Sequence, residues 1–193
     1  MSCVFTGSGV ALVTPFRKDG KIDYDVFEKL IEFQTANNTD AIIVCGTTGE
    51  GSTLSVEERL SLFRFAAEKI RGRAPLICGT GSNSTFFTLD VAKEAESCGA
   101  DAHLMVTPYY NKTSQNGLVK HYFHLADRLK KPIIVYNVPS RTGMNISPET
   151  YKELSFHKNI SGVKEADTSI VKLQKSIYLC EDRLDFYVGN DDM

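Results

Sequence analysis

Seven short apolar runs rich in β-branched residues recur along this chain at near-regular intervals, and that rhythm narrows the possible fold more than any other feature. They begin near residues 9, 41, 75, 102, 132, 160 and 185, so successive starts lie 25 to 34 residues apart. Amphipathic stretches fill the gaps, and several carry recognisable helix starts. Asp23 stands ahead of Val26, Phe27, Leu30 and Ile31; Ser55 has Glu58 three residues on, a capping box; Ser147 precedes Pro148 at a first helical position. Gly72 and Gly99 are placed to close two of these helices. An interval of that size holds one strand and one crossover helix, which implies parallel strands covered by helices. No linker or low-complexity tract interrupts the pattern, so residues 1–193 read as a single α/β domain. The same unit builds the TIM (β/α)8 barrel, which typically takes about 250 residues. The expected fold is therefore a barrel truncated after strand seven, without its eighth βα unit.

Composition narrows the function class. With 42% hydrophobic and 24% charged residues and a net charge of −2, the chain has the makeup of an ordinary globular protein. It offers no electrostatic reason to bind nucleic acid or an anionic membrane. Runs such as Ala41 to Cys45 and Pro132 to Tyr136 are too short to cross a bilayer, and no signal peptide is visible. The five cysteines are scattered and contain no Cys-x-x-Cys pair, which fits a reducing cytoplasm. Small-molecule chemistry is the expectation.

The unusual residues sit after the strands, where a barrel or an open α/β sheet places its chemistry. Gly46-Thr47-Thr48-Gly49-Glu50-Gly51 follows the second run, Tyr109-Tyr110-Asn111 the fourth, and Tyr136-Asn137-Val138-Pro139-Ser140-Arg141-Thr142-Gly143 ends the fifth. Lys164 closes the run Ile160-Ser161-Gly162-Val163, and Gly189 follows the seventh. A free lysine is only about one part in two to three thousand neutral at pH 7. Burial favours the neutral amine, which attacks carbonyls. Taken singly, each element has a plainer reading: a tight βα turn, a core aromatic at a strand end, a solvated arginine, a strand-end lysine with its amine in water. His121 and His124, an i, i+3 pair with no third ligand nearby, are weak evidence for metal. Gly79-x-Gly81-x-x-Ser84 lacks the third glycine of a dinucleotide site. Coincidence is the argument for function, because one barrel register puts all the loops on one rim.

In order and spacing, Gly46-Thr47-Thr48-Gly49-Glu50, Tyr109-Tyr110-Asn111, Tyr136 to Gly143 and Gly162-Val163-Lys164-Glu165-Ala166 resemble the dihydrodipicolinate synthase family of class I aldolase-type barrels. The resemblance implies condensation of pyruvate with L-aspartate-4-semialdehyde, giving 4-hydroxy-tetrahydrodipicolinate in lysine and diaminopimelate biosynthesis. By the same resemblance Lys164 is the Schiff-base lysine, and Tyr136 its proton donor and acceptor. Thr47 and Tyr110 complete a relay, Thr48 holds the pyruvate carboxylate, and Arg141 receives the semialdehyde carboxylate. Gly189 belongs to the substrate-binding set. No cofactor or metal is implied, and a homo-oligomer, dimer or tetramer, is expected because the residue matching Tyr110 reaches a neighbouring subunit's site.

Lyases acting on N-acetylneuraminate or keto-deoxy sugar acids share the lysine, the tyrosine and the glycine-rich loop; Arg141 and Thr47 favour the semialdehyde. Two departures stand out. In lysine-sensitive members the positions aligned with Val56 and Phe87 carry histidine and glutamate, so weak or absent lysine inhibition is expected here. The missing eighth unit also leaves open a catalytically inactive, truncated remnant.

Overall fold

The computed structural model describes residues 3–190. These residues cluster into two compact units, one of residues 4–80 and 91–103, the other of residues 3, 81–90 and 104–190. The strands follow chain order in the sheet, and every recorded pairing between neighbours is parallel.

The first unit carries β1 (Gly9–Ala11), α1 (Tyr24–Ala36), β2 (Ala41–Val44), α2 (Val56–Ile70) and β3 (Leu76–Gly79). The expected helix starts are realised. Asp23 accepts a hydrogen bond from the Val26 N–H, and Ser55 and Glu58 make both bonds of a capping box, at 3.2 and 2.8 Å. Each such cap contributes about 1 kcal/mol. Helix α2 turns left-handed one residue before Gly72, at Arg71 (φ 50°). Phe27 and Ile31 of α1 and Leu62, Phe63, Ala66 and Ile70 of α2 form one buried cluster with Ile42, Val44, Leu76 and Cys78. The alternate strand residues Ile43 and Ile77 are buried as well. Burial of both strand faces is the mark of a parallel sheet and explains why these runs read as continuously apolar.

Helix α3 (Thr85–Ser97) and strand β4 (Ala102–Val106) divide between the units. The second unit then carries α4 (Gln115–Ala126), β5 (Ile133–Asn137), α5 (Pro139–Thr142), α6 (Pro148–Leu154), β6 (Ile160–Glu165), α7 (Ile170–Cys180) and β7 (Asp185–Val188). Its buried aromatics are tied down by specific contacts: the Tyr122 hydroxyl donates to the Met105 carbonyl at 3.0 Å, and Tyr151 meets the Phe186 ring edge-on at 5.8 Å. Between β5 and β6 the register shifts by one residue. Ile133 pairs with Ile160, but Ile134 pairs with Gly162, so Ser161 is extra. Beyond that shift Tyr136 pairs with Lys164 and Asn137 with Glu165.

Candidate active site

The fifth, sixth and seventh strands bring three expected residues together. Lys164 is the register partner of Tyr136 on one side and of Tyr187 on the other. Its Nζ lies 4.9 Å from the centre of the Tyr136 ring, within cation–π range. Lys164 is half-buried, whereas Tyr136 is only 7% exposed. The third residue is Gly189, whose N–H donates to the Glu165 carbonyl at 2.7 Å. A Cβ there would stand 3.2 Å from Lys164 Cε, 3.1 Å from Ala166 Cβ and 3.0 Å from the Glu165 carbonyl oxygen. A side chain there would press on the lysine stem, and its neighbours would have to give by a few tenths of an ångström. Gly189 also lines a cavity of about 620 Å³ with Pro139, Ser140, Ala166, Asp167, Thr168 and Asn190, a volume in the range of small-ligand sites.

Arg141 lies on α5, a single helical turn. Proline at the first position and Gly143 in the left-handed region (φ 67°) bound this single turn, and the Gly143 N–H returns to the Pro139 carbonyl. The buried Thr142 hydroxyl has the Val138 and Met144 carbonyls as acceptors within 3.2 Å, while the neighbouring Arg141 is exposed. Tyr110 is 90% exposed and holds a positive φ of 68°. Non-glycine residues rarely adopt that conformation. The next residue, Asn111, donates from its side chain to the Asn83 carbonyl at 3.3 Å.

Thr47 and Thr48 belong to the other unit, on the loop that follows β2. That loop turns sharply because Cys45 is left-handed (φ 56°), and a side chain at Gly51 would collide with the Cys45 carbonyl. The Thr14 hydroxyl holds the loop by donating to the Gly49 carbonyl at 2.6 Å, while Thr47 and Thr48 stay exposed.

One group of residues in the quoted motifs had no assigned role. Asn137 and Glu165 occupy the rung of Tyr136 and Lys164, one residue further on, and so point to the opposite face. Glu165 Oε1 accepts from Asn137 Nδ2 at 2.7 Å and from the Asp167 N–H at 2.8 Å; Oε2 accepts from the Tyr151 hydroxyl at 2.7 Å. Burial raises the Glu165 pKa, and these three hydrogen bonds oppose the rise. Tyr151 is pushed well above the usual phenol value by burial and then by the adjacent carboxylate, so it stays a donor. A glutamate at the buried end of an apolar strand was the available sequence signal; its partners are not near it in sequence.

His121 donates to or accepts from the Thr85 hydroxyl at 2.8 Å, and burial depresses its pKa to about 4. Among the described residues, no three His, Cys, Asp or Glu side chains are grouped to hold a metal ion, and no helix is long and apolar enough to cross a membrane.

Residues 4–193 match the dihydrodipicolinate synthetase family. The chain is 51% identical over 189 residues to the 4-hydroxy-tetrahydrodipicolinate synthase of Caldicellulosiruptor saccharolyticus, covering 98% of this chain and 64% of that protein. It is equally identical to the enzyme of the same name from Alkaliphilus oremlandii, covering 65% of it. Among solved structures, the chloride-inhibited dihydrodipicolinate synthase of Acinetobacter baumannii, complexed with pyruvate, matches 96% of this chain and 64% of its own, at TM-score 0.94 and 42% identity. The dihydrodipicolinate synthase of Thermotoga maritima matches 98% of this chain and 65% of its own, at TM-score 0.95 and 42% identity. The chain thus spans about 64% of the length of these relatives, and its described residues carry seven strands of their (β/α)8 fold. On the strength of a match that runs from residue 4 to residue 193, the chain belongs to the dihydrodipicolinate synthetase family.

Proposed function

We propose that the protein condenses pyruvate with L-aspartate-4-semialdehyde to give 4-hydroxy-tetrahydrodipicolinate, in lysine and diaminopimelate biosynthesis, through an imine on Lys164. The observation that carries the reading is the Lys164 amine set over the Tyr136 ring, its stem close to Gly189, which lines a ligand-sized cavity. The names of the relatives agree with it, as does the pyruvate bound to the Acinetobacter baumannii enzyme.

The chemistry follows from these groups. Lys164 Nζ attacks C2 of pyruvate and the carbonyl oxygen leaves as water, giving an iminium. That cation is an electron sink, so a methyl proton can be withdrawn to form an enamine. The enamine carbon attacks the aldehyde of the second substrate, whose own amine then displaces Lys164 at C2 and closes the ring. Each step moves a proton. Tyr136, buried with its ring under the amine, is the group assigned to carry it, with Thr47 and Tyr110 relaying it onward. Thr48 is assigned to the pyruvate carboxylate. Arg141 is assigned to that of the semialdehyde, which a guanidinium can grip with two hydrogen bonds. A tyrosine as exposed as Tyr110 supports a site completed by a second copy, in a dimer or tetramer; the scattered cysteines fit a place in the cytoplasm.

Borohydride reduction of the complete gene product with pyruvate, followed by peptide mapping, tests nucleophile and first substrate together. The reduced adduct is expected on Lys164, and an adduct elsewhere overturns the proposal. Turnover of pyruvate plus semialdehyde is expected to exceed cleavage of N-acetylneuraminate; the reverse order reassigns the substrate.

A further inference from the structure

The ladder between β5 and β6 ends in two consecutive pairs with opposite roles. Tyr136 and Lys164 meet on one face; Asn137 and Glu165 meet on the other. Asn137 is wholly buried and Glu165 is 7% exposed, yet both are fully engaged. Besides its bond to Glu165, Asn137 Nδ2 donates to Asn145 Oδ1 at 2.9 Å, and its Oδ1 accepts from the Ile146 N–H at 3.2 Å. Asn145 in turn donates to Asp167 Oδ2 at 2.7 Å. The network therefore closes a ring through the end of β5, the segment after α5, the end of β6 and the loop beyond it, with Tyr151 bracing it from α6.

Such a network is costly as a way of holding strands together. A buried carboxylate loses its hydration, and well-packed apolar side chains in its place are often neutral or better for stability. What a satisfied polar network supplies instead is a single geometry, because its hydrogen bonds are directional and a partly made set is expensive. The geometry fixed here is that of the rung carrying the amine and of the segment carrying Arg141.

We infer that Asn137 and Glu165 are positioning residues: they lock the β5–β6 rung so that Lys164 stays over Tyr136, and through Asn145 they seat the α5 segment that presents Arg141. The inference rests on the imine chemistry proposed for Lys164. It concerns the rate at which the amine reacts rather than whether it reacts, since neither side chain shares a face with the amine.

The test uses the complete gene product and the variants Asn137→Ala, Tyr151→Phe and Glu165→Gln, each held well below its melting temperature so that all of it is folded. Imine formation with pyruvate is followed by quenching with borohydride at timed intervals, alongside kcat and both KM values. Asn137→Ala is expected to label Lys164 to the same final extent but about 10- to 100-fold more slowly, the penalty of a misplacement on the order of 1 Å, and to raise KM for the semialdehyde. Tyr151→Phe, which deletes one hydroxyl and carries the test alone if Asn137→Ala does not fold, is expected to slow labelling in the same sense. Glu165→Gln keeps an acceptor for Asn137 and for the Asp167 N–H and is expected to retain a rate close to that of the unmodified protein. Unchanged labelling rates in folded Asn137→Ala and Tyr151→Phe overturn the inference. Absence of any Lys164 adduct in the unmodified protein instead refutes the proposed function.

Discussion

Lys164 and Tyr136 face each other across one rung of adjacent parallel strands, with the amine nitrogen 4.9 Å from the centre of the ring. The ring and the hydroxyl of Tyr136 can be separated experimentally. Tyr136→Phe keeps the aromatic face under the amine and is expected to fold normally, while kcat falls about 10²- to 10⁴-fold, the range for losing a positioned proton donor. Lys164→Arg keeps the charge but cannot form an imine, and it is expected to give no borohydride adduct. Steady-state rates and mass mapping check both outcomes.

Gly189 tests how tightly the amine is confined. An alanine methyl would press on Lys164 Cε, Ala166 Cβ and the Glu165 carbonyl at 3.0 to 3.2 Å, closer than ordinary contact. Gly189→Ala is expected to cost about 1 to 3 kcal/mol of stability as overpacking. Its kcat should fall by about tenfold or more, because the atom displaced belongs to the stem of the amine proposed to form the imine. Chemical denaturation and initial rates separate the two effects.

His121 makes stability depend on acid. Burial, and secondarily His124, lower its pKa from 6.5 to about 4 in the folded chain. The unfolded chain therefore takes up the proton first as pH falls. The stabilisation from a neutral His121 is complete above about pH 6.5 and is lost as pH drops through about 4, with a full span of about 3 kcal/mol. Urea midpoints measured between pH 7 and pH 4 should fall for the unmodified protein and fall less for His121→Gln, whose amide can still meet Thr85.

The thiols should divide sharply. Cys45, Cys78, Cys98 and Cys180 are buried, and burial pushes Cys45 up to about 12 and Cys180 up to about 11, whereas Cys3 is exposed. A thiol-specific chromophore is expected to label one cysteine rapidly in the native protein and all five in denaturant.

Val56 and Phe87 offer no charge or hydrogen bond to a lysine ammonium, and Phe87 is 40% exposed. Free lysine is therefore expected to inhibit weakly or not at all. Half-inhibition in the low-millimolar range or below would contradict this.

The strands and caps were legible because their causes are local. Ser55 and Glu58 stand three residues apart, and the apolar runs at Ala41, Ile133 and Ile160 announce strands buried on both faces. Lys164, Tyr136 and Gly189 could be grouped from the sequence because each lies at, or just past, the C-terminal end of a strand. Other features depended on partners far along the chain. Asn137 and Glu165 are 28 residues apart, and nothing near either one reveals the bond between them. Arg59, on a helix that reads as amphipathic, is buried and donates to the Gly79 carbonyl at 2.7 Å. The helix at Pro139–Thr142 was hidden because four residues are too few to show a period, and its boundaries are set by Thr142 and Gly143.

The extra residue at Ser161 has a consequence several positions downstream. Had the ladder continued unshifted from Ile133 and Ile160, Tyr136 would stand opposite Val163, and Lys164 would be opposite Asn137. The place of Lys164 opposite Tyr136 is thus written by a phase offset three residues upstream. Changes that iron out that offset would part Lys164 from Tyr136 while leaving both side chains in the chain.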